Sequence, residues 1–252
     1  MTIDELAKKH NTDKSSLDHN YTQFYQKYFD KYVKNPKKIL ELGIYTTGVV
    51  NINNAGASLR MWSEYYKDST IIGLDITDYS AINNHPDYPN INTFACNGEM
   101  RKDDDFSQIT NPWLRQLYNR GEMIGGKIGL NKAIEKFGSE YDIIIDDGPH
   151  TMSSQHIFFG CMFKHLKSGG LFVIEDISTS YSTNIDFTGK LQYNSWPHTD
   201  KTTLWMIKNY IENKRIESDF MYKEEIEYLN NNIKEVFLEK GKNSEIAFIV
   251  KK

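Results

Sequence analysis

Short apolar runs alternate with amphipathic stretches along most of the chain. Lys38–Leu42 is one such run, closed by Glu41-Leu42-Gly43; Thr70–Leu74 is a second and ends at Asp75; Ile91–Cys96 is a third. Asp142–Ile145 and the run within 169–176 are a fourth and a fifth. Runs of this length bounded by turn residues predict buried strands. Between them, apolar residues recur at helical spacing: Ser58–Tyr66 with Leu59, Trp62 and Tyr66 on one face, a stretch near 129–137, and 152–166. Ahead of the first strand the same spacing appears around Leu6 and through Phe24, Tyr25, Tyr28 and Phe29, separated by the polar stretch His10–Asn20. After the fifth strand, Leu204–Ile211 and 221–232 read as helices. Lys234–Leu238 and Ile246–Val250, joined through Glu-Lys-Gly-Lys-Asn, predict a closing antiparallel hairpin.

Strand and helix in alternation predict a doubly wound α/β sheet. The final hairpin narrows the choice. Dinucleotide-binding sheets usually finish on a parallel strand, whereas the Rossmann-like sheet of class I S-adenosylmethionine (SAM) methyltransferases inserts an antiparallel last strand. No repeat or Pro-rich linker interrupts the chain, so residues 1–252 are expected to form a single domain. Within it, 1–32 is an N-terminal helical segment, and 98–128 and 177–200 are excursions over the site, the first with a helix near 111–119.

The chemistry gathers at two strand ends. Tyr-Asp-Ile-Ile-Ile-Asp-Asp-Gly-Pro-His (141–150) runs from an apolar strand into two carboxylates, a turn and a histidine; Gly-Gly-Leu-Phe-Val-Ile-Glu-Asp (169–176) is a second strand ending in two carboxylates. A right-handed crossover through 152–166 puts such strands parallel, with both carboxyl ends on the edge where open α/β sheets bind ligands. Acids crowded there repel one another unless a cation neutralises them, and oxygen ligands suit Mg²⁺ or Mn²⁺. His150, three residues after Asp147, is placed to take a proton from whatever that metal holds. Read alone it would be an ordinary loop histidine. Asp146 either holds the loop or meets a cofactor amine. Ser153 or Ser154 is the expected cap of the helix that follows.

A cofactor would lie beside the first strand. Gly43 lets backbone approach a ligand, and Asp75, 34 residues beyond Glu41, can accept both hydroxyls of a ribose. Gly43, Gly48 and Gly56 do not space as a phosphate-binding fingerprint, and the long loop 44–57 suits SAM, which has no phosphate. The plain alternative for Gly43 is a turn after a strand.

Four segments carry a family resemblance: Gly-Ala-Ser-Leu-Arg-Met-Trp (56–62), Ile-Ile-Gly-Leu-Asp-Ile (71–76), Asp-Ile-Ile-Ile-Asp-Asp-Gly-Pro-His-Thr-Met (142–152) and His-Leu-Lys-Ser-Gly-Gly-Leu-Phe-Val-Ile-Glu-Asp (165–176). Together they resemble the SAM- and Mg²⁺-dependent sugar O-methyltransferases of macrolide tailoring. The openings Ala-Lys-Lys-His-Asn-Thr-Asp-Lys (7–14) and His-Asn-Tyr-Thr (19–22) are similar to that group's leader. The resemblance spans about residues 5–182 and departs at 98–135 and after 183. It implies that Asp147, Glu175 and Asp176 hold the metal and that His150 is the general base. Glu41, Gly43, Asp75 and Asp146 would then meet SAM, and Asn97 would stand where the group has a glutamine against adenine.

Composition adjusts this reading. Net charge is −4, which gives no reason to expect nucleic acid as a partner. Cys96 and Cys161 are the only cysteines and are expected to be unbridged, and no long apolar run occurs, so a cytoplasmic protein without membrane insertion is expected. Lys outnumbers Arg 25 to 5, as in AT-rich genomes, which fits a macrolide producer poorly. The expected acceptor is therefore a nucleotide-activated sugar or a capsule or lipopolysaccharide precursor. Catechol-type methylation, a macrolide sugar, or a noncatalytic SAM-fold partner module are the alternatives, and a homo-oligomer is compatible with all of them. His198 is a reserve base. His156 and His165 are expected to be packing or surface residues, and His85-Pro86-Asp87 and His198-Thr199-Asp200 coincidental H-x-D matches. Tyr181, Phe187, Tyr193 and Trp196 suit loop packing or sugar stacking equally.

Overall fold

A computed structural model describes residues 1–45, 55–103, 124–181 and 200–252. The expected helix near 111–119, Gly48, Phe187, Tyr193, Trp196 and His198 lie outside the described residues.

Among the described residues seven strands form one sheet: β1 (Lys38–Leu42), β2 (Thr70–Asp75), β3 (Ile91–Ala95), β4 (Tyr141–Asp146), β5 (Leu166–Ile174), β6 (Ile233–Lys240) and β7 (Glu245–Lys251), in the order β3-β2-β1-β4-β5-β7-β6. The first five pair parallel, and β7 inserts antiparallel between β5 and β6. This is the class I SAM methyltransferase sheet that the terminal hairpin predicts. Strand order reverses between β1 and β4, the place where such sheets take ligands at their carboxyl ends.

Alternation along the strands divides the core into two layers. Ile39, Ile71, Ile143, Ile145, Leu171, Val173 and Phe248 meet α1 (Ile3–His10), α2 (Thr22–Tyr32) and α3 (Ala57–Tyr65). Leu40, Leu42, Leu74, Ile144, Phe172 and Ile249 meet α4 (Leu130–Phe137), α5 (Met152–Met162), α6 (Thr203–Asn213) and α7 (Lys223–Asn232). Every residue of α5 is buried, as expected of a helix that is apolar nearly all round and covered by α6 and α7. The crossover helix ends at Met162, earlier than its apolar pattern suggests, because a 3₁₀ turn at Phe163–His165 feeds β5 at Leu166. Its cap is Thr151, not Ser153 or Ser154. Thr151 is extended (φ −73°, ψ 153°), and its side chain accepts from the Ser154 N–H.

The polar stretch after α1 is a packed structure rather than a tether. Asp4 accepts from the Ser16 N–H and hydroxyl and from the Thr22 hydroxyl, at 2.7–2.8 Å. The Lys14 carbonyl accepts from the Tyr21 and Thr22 N–H groups at the start of α2. The β6–β7 turn lies against this segment: the Lys242 N–H donates to the His19 carbonyl, and a Cβ on Gly241 would stand 2.5 Å from that same oxygen.

Candidate active site

Period-two alternation also sorts the acids. Glu41 continues the face of Ile39, Asp147 that of Ile143 and Ile145, and Glu175 that of Leu171 and Val173, so three carboxylates on neighbouring strands β1, β4 and β5 face the α1–α3 layer. The Asp147 N–H donates to the Leu42 carbonyl and the Glu175 N–H to that of Asp146, which carries the ladder one step past the strand ends. Asp146 points to the opposite face.

The sequence reading attaches no chemistry to Lys14, yet it is the centre of this cluster. Its side chain is wholly buried, with Nζ 2.5 Å from Asp147 Oδ2, 3.0 Å from Glu175 and 3.6 Å from Glu41 Oε1. Burial alone would lower its pKa; the surrounding carboxylates, Asp147 foremost, outweigh that and keep the ammonium charged. Burial also pushes Asp147 and Glu41 up and Glu175 to about 8, against the pull of Lys14. Two tyrosines one helical turn apart complete the frame. The Tyr21 hydroxyl donates to Asp176 at 2.8 Å, and the Tyr25 hydroxyl donates to Glu175. The His19 ring stacks on Tyr21 with centroids 5.2 Å apart.

His150 and Asp176 both sit in the left-handed region, at φ 56° and 52°. An L-residue pays roughly 1–2 kcal/mol for that backbone, and such residues cluster where function demands a particular side-chain direction. For Asp176 the effect is to keep its carboxylate on the same side as that of Glu175, where simple alternation would oppose them. His150 Nε2 then lies 3.4 Å from Asp176 Oδ2 and 3.8 Å from Asp147 Oδ1. Burial lowers the His150 pKa, with Asp176 opposing. The ring is thus neutral near pH 7 and able to accept a proton.

Among the described residues Asp147, His150 and Asp176 form the one group whose ligand atoms all lie within 4.8 Å of one another, a spacing that fits a single cation. The two carboxylates suit Mg²⁺ or Mn²⁺ through their oxygens, with the imidazole beside them. Glu175, expected in the metal set, is not in this group; both of its oxygens are engaged by Lys14 and Tyr25.

The expected cofactor residues divide. Asp75 is buried at the end of β2, accepting from the Ile44 and Thr77 N–H groups at 2.9 and 2.8 Å; burial raises its pKa against those bonds. Asp146 is fully buried and its Oδ2 has no partner among the described residues; burial pushes it up to about 7. A lone carboxyl oxygen at the switch point fits a cationic amine, so the residues present are compatible with SAM. Asn97 Oδ1 accepts from the Glu99 N–H. Glu41 is fully buried and accepts from the Trp62 indole N–H at 2.6 Å. Gly43 (φ 92°) answers a need inside the fold: an added Cβ would stand 1.9 Å from the Asp147 carbonyl oxygen. Its close approach is to the β4 loop, so the plain reading of this glycine accounts for it.

Glu99 escaped the sequence reading. It accepts from the Thr151 hydroxyl at 3.0 Å, and burial pushes its pKa from 4.5 to about 7. The folded state therefore keeps this proton longer than the unfolded chain. Its stabilising contribution is full below pH 4.5 and lost as pH rises through about 7. Glu99→Gln should abolish that dependence. Urea unfolding at pH 5 and pH 8 is expected to show the variant gaining roughly 2–3 kcal/mol on the wild type between the two. Parallel pH profiles would contradict it.

His156 and His165 behave as packing or surface groups. His156 is buried against Ser218 at 2.7 Å, and His165 bonds Ser139 at 2.7 Å. Cys96 and Cys161 are free and buried.

No family model matches the chain. It is 28% identical over 250 residues to mycinamicin VI 2''-O-methyltransferase of Micromonospora griseorubida, covering 96% of this chain and 53% of that one. It is 31% identical over 176 residues to 8-demethyl-8-alpha-L-rhamnosyl tetracenomycin-C 2'-O-methyltransferase of Streptomyces olivaceus, 70% of this chain and 38% of that one. The chain thus spans about half the length, or less, of these curated relatives. A solved structure of MycE methyltransferase from the mycinamycin biosynthetic pathway, in complex with Mg and SAH, matches at TM-score 0.64 and 26% identity, covering 100% of this chain and 53% of that one. The chain is a homologue of mycinamicin VI 2''-O-methyltransferase built on the class I SAM methyltransferase fold.

Proposed function

We propose that this protein is a SAM-dependent O-methyltransferase acting on a sugar hydroxyl with the help of a divalent ion, Mg²⁺ or Mn²⁺. The observation that carries the reading is the convergence of Asp147, His150 and Asp176 at the carboxyl ends of β4 and β5, beside the switch point of a class I sheet. A divalent ion supplies Lewis acidity that makes an otherwise poor sugar nucleophile easier to deprotonate. The protein's own part is positional and proton-handling. Asp147 and Asp176 present oxygens to the cation, Tyr21 fixes the Asp176 carboxylate, and neutral His150 accepts the hydroxyl proton at Nε2. Asp75 is suited to a ribose, and the unpartnered oxygen of Asp146 to the amine of SAM.

Relatives named for O-methyl transfer to glycosylated natural products support a sugar acceptor. Within that class we favour a nucleotide-activated sugar or surface-glycan precursor on composition alone. The cell compartment we assign is the cytoplasm, where free buried thiols persist. No described helix is long and apolar enough to cross a membrane. The test is transfer of a labelled methyl group from SAM to a panel of nucleotide sugars, polyketide glycosides and catechols, in Mg²⁺ and in EDTA. Transfer to a sugar in Mg²⁺ alone is expected. Methylation confined to catechols, or undiminished in EDTA, would refute the reading.

A further inference from the structure

We propose that Lys14 is a positioning residue, a resident monovalent cation of the acidic edge. It holds Asp147 and Glu175 in place before any divalent ion arrives and then competes with that ion for Asp147. The inference rests on the metal reading given under Proposed function.

The geometry separates Lys14 from an ordinary ion pair. An exposed lysine beside a carboxylate adds little and moves freely. This one is wholly buried, and its ammonium reaches three carboxylates from three different strands, all on one face of the sheet. It also comes from a segment 133 residues distant from Asp147, so the chain brings a cation across the fold to a place where the sheet has gathered acids. Two of its three partners have further duties. Asp147 offers Oδ2 to Lys14 and turns Oδ1 toward His150, so one carboxylate stands between the ammonium and the cation-sized group. Glu175 is held by Lys14 and Tyr25 together, and Gln155 Nε2 donates to its backbone carbonyl at 2.9 Å.

Two consequences follow from charge alone. Without a divalent ion, Lys14 is the cation that keeps Glu41, Asp147 and Glu175 from repelling one another. With one, a fixed positive charge a few ångströms away lowers the site's affinity, and part of the oxygen set is already engaged. Lys14 would thus keep the protein folded when metal-free and keep metal binding reversible.

The test uses the full chain without SAM or acceptor. Mn²⁺ binding is measured by calorimetry on the wild type and on Lys14→Met, which keeps most of the side chain's length and loses its charge. Affinity at least tenfold tighter in the variant is expected, because a competitor for the ligands has gone. A lysine serving only to anchor the leader would give unchanged or weaker binding, and either result overturns the inference. If the variant does not fold, the wild type decides. The ¹⁵Nζ resonance of Lys14, detectable because the ammonium is shielded from water, should shift along the Mg²⁺ binding isotherm. A resonance indifferent to saturating Mg²⁺ would overturn the inference while leaving the metal reading intact. Absence of divalent-ion binding in both proteins would remove the metal reading and this inference with it.

Discussion

Replacing His150 with alanine is expected to lower kcat by roughly 10²–10⁴, the usual loss when a general base is removed. The argument is one of place and protonation. Nε2 lies 3.4 Å from Asp176 and 3.8 Å from Asp147, at the mouth of the cation-sized group, and burial holds the ring's pKa below its ordinary 6.5. The imidazole is then neutral near pH 7, and methyl transfer should rise with pH along a limb on the acid side of that value, a limb absent from the alanine variant's profile. S-adenosylhomocysteine binding should be nearly unchanged, since Asp75 lies at the end of β2 and Asp146, although on the same strand end, points to the opposite face of the sheet. Metal binding separates base from ligand. If His150 is the base, Mg²⁺ affinity in His150→Ala changes little while turnover collapses. A fall in affinity that parallels the fall in kcat would make it a ligand instead, and near-normal turnover would remove it from the chemistry.

Asp176→Asn is expected to weaken divalent-ion binding by more than roughly 100-fold, beyond the 10–100-fold typical of losing an outer partner of a metal ligand. Its carboxylate is aimed by a left-handed backbone (φ 52°) and by the Tyr21 hydroxyl at 2.8 Å, so the side chain is pre-set and the amide would deliver one neutral oxygen in place of an anionic pair. Activity should return only at correspondingly higher Mg²⁺. Glu175→Gln is the informative companion. Both Glu175 oxygens are occupied by Lys14 and Tyr25, so its metal affinity should fall far less than that of Asp176→Asn. Equal losses from the two variants would return Glu175 to the metal set that family resemblance implies. Calorimetry with Mn²⁺ on the three proteins reads both outcomes.

Much of this was legible before any coordinates, for identifiable reasons. Strands such as Lys38–Leu42 and Thr70–Asp75 are short apolar runs with acids at their ends, and α3 shows Leu59 and Trp62 at helical spacing; local periodicity carries that information. The carboxylates of β4 and β5 were legible as strand ends because a crossover forces both to one edge. Periodicity is blind to what comes from far away. Lys14 sits in a polar stretch that looks like a connector, and nothing local says that its ammonium will reach Asp147, 133 residues on. The leader motif around residues 7–14 and 19–22 was the available signal, but a motif names residues without naming their partners. Backbone conformation was equally hidden. The left-handed turns at His150 and Asp176 decide which acids meet, and they give Asp176 and Glu175 different neighbours although the two are adjacent. Gly43 was equally hidden: the sequence could not show that this glycine also makes room for the close passage of the Asp147 backbone.

The central claim is that this sheet edge binds SAM, and calorimetry of the wild-type protein with S-adenosylhomocysteine and, separately, with NAD tests it most directly. Saturable one-to-one binding of S-adenosylhomocysteine, strongly weakened in Asp75→Ala and absent for NAD, is the expected result. Tight binding of NAD with none of S-adenosylhomocysteine would contradict the account.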